Sequence, residues 1–134
     1  EVTKVSALAQ AMVEIDEHWE HLKLVKKAGW MVPADHPDID PPHVASILGQ
    51  HYRDAAKGES RKELSTWLAD AENNAREFES LLLKIKKGTK VDPTGIEKAF
   101  QRMSADCLHC HQKYRDVPTS ALDRLGGLEL SSTR

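Results

Sequence analysis

The sequence lacks several features that would fix a function class at once. No apolar run in its 134 residues approaches the roughly 20 that a bilayer-crossing helix needs, so no membrane span is expected. Neither sign of charge is in marked excess: 19 Lys and Arg stand against 21 Asp and Glu, a net charge of -2. Such a balance gives no electrostatic footprint for a nucleic acid or an anionic membrane, and neither is expected as a partner. Cysteine is scarce, with two residues, and a chain of this length buries a core without disulfides to hold it. The opening EVTKVSALAQ lacks the basic and then apolar pattern of a secretion signal, so an exported form of the chain has already lost its signal.

Proline is confined to positions 33, 37, 41, 42, 93 and 118, which leaves long proline-free segments between. These segments read as helices and the clusters as connections. Val5, Leu8, Met12, Ile15, Trp19 and Leu22 recur every three or four residues and predict a first helix over about 3–28. The segment 29–42, with four prolines and three aspartates, predicts a loop. Val44, Ile47, Leu48, His51, Tyr52 and Ala55 predict a short second helix from His43, ended by Gly58.

Ser60 and Glu63 form a capping-box pattern for a long third helix. Its seam runs Leu64, Leu68, Ala71, Ala75, Phe78, Leu82 and Ile85, up to Gly88. Pro93 suits the first turn of a fourth helix, which carries Ile96, Phe100, Met103, Cys107, Cys110 and Tyr114 until Pro118. No strand-like alternation appears. The expected fold is all-α, an antiparallel up-down-up-down four-helix bundle over 1–118 with a tail over 119–134.

Both cysteines lie in CLHCH, residues 107–111. A structural zinc site needs a second Cys or His pair, and no second cluster of that form exists. A thioredoxin-like dithiol sits at a helix start beside a βαβ unit, whereas this pair lies well inside a helix. The remaining reading is C-x-x-C-H haem attachment. Thiols one helical turn apart suit the two vinyl groups of a haem, and the next residue presents its imidazole to the iron.

The segment GIEKAFQRMSADCLHCHQKYRD, residues 95–116, resembles the last helix of cytochrome c prime and its low-spin relatives. MVEIDEHWEHLKLVKK and STWLADAENNAREFESLLLK resemble the family's first and third helices. The resemblance implies one covalent haem c held by Cys107 and Cys110, with His111 as proximal ligand and Arg115 near the proximal face. Met12 corresponds to the position facing the distal side of the iron. Leu8 stands where relatives commonly have an arginine for a haem propionate, the KGES connection is very short, and the first loop is longer than usual.

Two readings of Met12 stand side by side. As a methionine in an apolar seam it is core filler. Counted from the shared end of antiparallel helices, however, it lies ~15 Å along and His111 ~9 Å, near enough in level to flank one haem. A thioether suits ferrous iron, and a His/Met axial pair raises the reduction potential. Met103 reads as core, and Met31 sits in the proline-rich loop. His51, on the inner face of the second helix, is the alternative sixth ligand, although a satisfied core histidine is its simpler reading. His18, His21, His36 and His43 read as surface or capping residues, His109 as pointing away from the iron, and Trp19, Trp67, Phe78 and Phe100 as core.

The expected function is single-electron transfer to redox partner proteins, without enzymatic activity, in a periplasmic or equivalent compartment. The resemblance also allows a homodimer through the first two helices. The alternative is a five-coordinate protein that binds NO or CO at an open distal site. An enzyme needs a distal acid or base, and the first helix offers Glu14 and Asp16, both off the seam.

Overall fold

A computed structural model describes the backbone of residues 2–113 and the side chains of residues 10–110. Helices α1 (Val2–Lys27), α2 (Pro41–Gly58), α3 (Lys62–Lys86) and α4 (Pro93–Lys113) account for its regular structure, with no strand among the described residues. Nor is any helix there long and apolar enough to cross a membrane. The side chains of Val5 and Leu8, and the whole of Tyr114, Pro118 and the expected tail over 119–134, lie outside what is described.

Cross-helix contacts fix the direction of each helix. Along α1, Met12, Trp19 and Lys26 meet Cys110, Phe100 and Glu97 of α4 in reverse order. On α3, Ser65, Arg76 and Lys86 reach back to Ala56, Ser46 and Asp40 at the α2 side. Likewise Trp67, Asn74 and Glu77 meet His109, Asp106 and Arg102 of α4. These three antiparallel pairings leave α1 and α3 running one way and α2 and α4 the other, compatible with the expected four-helix bundle.

Most of the apolar seam positions read from the sequence are buried, while Ile47, Ala55 and Ile85 are only partly so. Met12, Ile15, Trp19, Leu22 and Val25 of α1 join Val44, Leu48 and Tyr52 of α2. Leu64, Leu68, Ala71, Ala75, Phe78 and Leu82 come from α3, and Ile96, Phe100 and Met103 from α4. Helices α2 and α3 approach closely at Gly49, where an added Cβ would stand 3.1 Å from the Arg76 guanidinium carbon. The seam between α1 and α4 is instead filled by large side chains, with Trp19 stacked on Phe100 at 4.7 Å.

Two helix ends share one device. Gly88 (φ 84°) follows α3, and the N–H groups of Gly88 and Thr89 donate to the carbonyls of Ile85 and Lys84. This is a Schellman ending, for which the left-handed conformation favours glycine. Gly29 (φ 72°) ends α1 in the same way, with Gly29 N–H to Lys26 and Trp30 N–H to Val25. The turn carries Trp30 (φ 70°) back over the core, where it packs edge-on against Phe78 at 5.7 Å and tilted against Phe100 at 5.5 Å.

Three expectations are corrected. Helix α2 starts at Pro41, two residues before His43, because prolines in a first turn forfeit only N–H groups that have no intrahelical acceptor. The Ser60–Glu63 capping box does not form: Arg61 is the N-cap of α3, and its N–H goes to the Glu59 carboxylate at 2.8 Å. Trp67 is not fully buried: it packs against the core from its margin and stacks on the exposed His109 at 4.9 Å.

Candidate functional site

The site is a meeting of four side chains from three helices. Cys107 and Cys110, one turn apart on α4, are both free thiols. Cys110 is buried, and its Sγ lies 3.9 Å from Met12 Sδ on α1. Cys107 is partly buried, and its Sγ lies 3.8 Å from the hydroxyl of Tyr52 on α2. The core position of Tyr52 brings that hydroxyl inward, and it is 3 % exposed. His111 follows within α4, but its imidazole lies outside the described side chains, and Arg115 lies outside the described residues.

Burial dominates the electrostatics. Loss of water pushes the Cys107 thiol up to about 12, helped by the charges of Cys110 and Asp106 and opposed by the Tyr52 hydrogen bond. Burial likewise lifts Cys110 to about 11, with Arg61 holding it down in part. Tyr52 is pushed well above its ordinary value, first by burial and then by Cys107. Asp106 is raised by burial too, opposed by Asn74, whose side-chain N–H donates to it at 2.7 Å.

A redox-active dithiol has the opposite signature, a thiol lowered by nearby positive charge. Nor do any three His, Cys, Asp or Glu side chains among the described residues form a group able to hold a metal ion. The chain should therefore keep Cys107 as an unreactive neutral thiol. Without haem, alkylation of Cys107 by iodoacetamide at pH 8 is expected to be slower in the folded than in the urea-unfolded chain by two to three orders of magnitude. That factor follows from a thiolate fraction lowered by the rise from 9.0 to about 12, and peptide mass mapping against time measures it.

Other sequence candidates take quieter places. His51 is partly buried at the α1–α2 seam, with Nδ1 3.5 Å from the Glu14 carboxylate and its ring 5.2 Å from that of His18. It has its own partners, as a satisfied seam histidine does. His18 Nδ1 stands 2.8 Å from the Glu14 carbonyl oxygen. Met103 is core, and Met31 is 54 % exposed. Tyr52 was legible in the sequence only as a seam residue. Its contact with Cys107 joins positions 55 apart, which depends on how α2 and α4 face each other and leaves no local mark.

The donor set suits a covalently held haem. Two neutral thiols stand about 4.5 Å apart in helical rise, a histidine follows them, and a thioether sits across from the second thiol. The sulfurs of Met12 and Cys110 lie 3.9 Å apart in this structure, which brings the α1 thioether to the level of the α4 thiols. Met12 is an unbranched and adaptable side chain, which suits such a seam. No family model matches the chain, and neither does any curated protein or solved structure.

Proposed function

We propose that the chain is a monohaem c-type cytochrome of the cytochrome c prime kind, which carries single electrons and matures in a periplasm-like compartment. The observation that carries this reading is the pair of inward thiols on α4 with the Met12 thioether facing Cys110 at 3.9 Å. A bound haem supplies an iron that cycles between ferrous and ferric. Cys107 and Cys110 would hold it through thioethers, His111 and Met12 would ligate the iron, and Arg115 would lie close to the group, as the resemblance to cytochrome c prime implies. Ile15 and Met103, buried on α1 and α4, help keep water from that end of the core. A dry setting with a soft ligand favours the reduced state.

Ligation of the iron by Met12 would separate this reading from gas binding. Carbon monoxide added to the reduced, haem-loaded protein should leave the absorption spectrum unchanged over minutes, while potentiometric titration should give a single one-electron curve. An immediate shift of the Soret band with CO would instead support an open, five-coordinate iron and a function in NO or CO binding.

A further inference from the structure

Among buried polar side chains near the thiols, Tyr52 is the one with no role in the reading above. It projects from α2, the helix that supplies neither a thioether nor a favoured axial ligand, and its hydroxyl is enclosed. A buried hydroxyl without a partner is costly, and the partner here is the Cys107 sulfur at 3.8 Å. With a free thiol, either atom can donate. Addition of the thiol across a vinyl group changes this: sulfur bonds to one vinyl carbon, the thiol hydrogen goes to the other, and no oxidant or reductant is consumed. The sulfur then keeps its lone pairs and loses its only donor.

We propose that Tyr52 is a positioning residue of the haem site, its hydroxyl donating a hydrogen bond to the Cys107 thioether sulfur. This inference rests on the proposed haem attachment. The hydrogen bond fixes the edge of the macrocycle against α2 and draws electron density from its periphery, which stabilises the electron-rich ferrous form. Phenylalanine at position 52 keeps the ring and most of the volume, so it tests the hydroxyl alone.

The experiment uses the haem-loaded wild type and Tyr52→Phe, with intact mass read first to establish covalent haem in both. The expected result is a fall in potential that moves the one-electron equilibrium about threefold toward the oxidised form, about 28 mV at 59 mV per tenfold. A resonance Raman band that shifts in D2O in the wild type should also lose that sensitivity in the variant. An equal or higher potential, or no deuterium-sensitive band in the wild type, overturns the role of Tyr52 while leaving haem attachment standing. Absence of covalent haem from the wild type overturns the functional reading, and the role of Tyr52 with it.

Discussion

Replacing Met12 by leucine in the haem-loaded protein is expected to turn a low-spin, six-coordinate iron into a high-spin, five-coordinate one, in both oxidation states. Leucine keeps the apolar volume at a buried position and removes only the sulfur, so the stability cost is expected to stay below about 1.5 kcal/mol. Resonance Raman and absorption spectra read the spin state, and circular dichroism checks that the helices persist. The reduction potential should fall as well, because the soft ligand that favours ferrous iron is gone. CO should then bind quickly. A variant that stayed low-spin would remove Met12 from the iron. His51 would then be the next candidate, at the cost of its contacts with Glu14 and His18.

The second large effect concerns the opposite end of the core and needs no haem. Phe78 is fully buried and meets Trp30 edge-on and Phe100 at an angle. Phe78→Ala is expected to cost about 3–5 kcal/mol, from lost transfer energy and the cavity left among rigid rings. Against a total stability on the order of 5–15 kcal/mol, such a loss displaces the urea midpoint visibly. Leu83→Ala on the same helix, at a residue 38 % exposed, should shift it far less. Equal shifts for the two variants would mean that the α3 face has been assigned the wrong way round.

These two predictions draw on different kinds of legibility. The face of α3 was readable because Leu64, Leu68, Ala71, Ala75, Phe78 and Leu82 repeat at helical spacing, and all six are buried. The level of Met12 against the end of α4 was readable because helical rise is constant and neighbours in such a bundle run antiparallel. What stayed hidden depends on lateral geometry or local competition. The proline-rich segment ends the first helix near residue 28, but does not show that the turn swings Trp30 over Phe78 and Phe100. The Ser60–Glu63 pattern was a fair signal, defeated because α3 starts one residue later and Glu59 takes the Arg61 N–H. Trp67 has the character of a core residue, yet it is only partly buried against the core and stacks on His109, as an amphipathic ring covers surface as well as it fills space. The contact of Tyr52 with Cys107 arises only when α2 and α4 have been packed.

The central claim is that Cys107 and Cys110 carry a haem. Its most direct test is the intact mass of the chain produced in a host that exports and matures c-type cytochromes, measured after denaturation in acidified organic solvent. The expected result is the mass of the polypeptide plus one haem, with the added mass on the peptide that contains residues 107–111. That addition should be absent from the double variant Cys107→Ala, Cys110→Ala. A wild-type chain at the bare polypeptide mass, or haem that extracts freely into the solvent, would contradict the account.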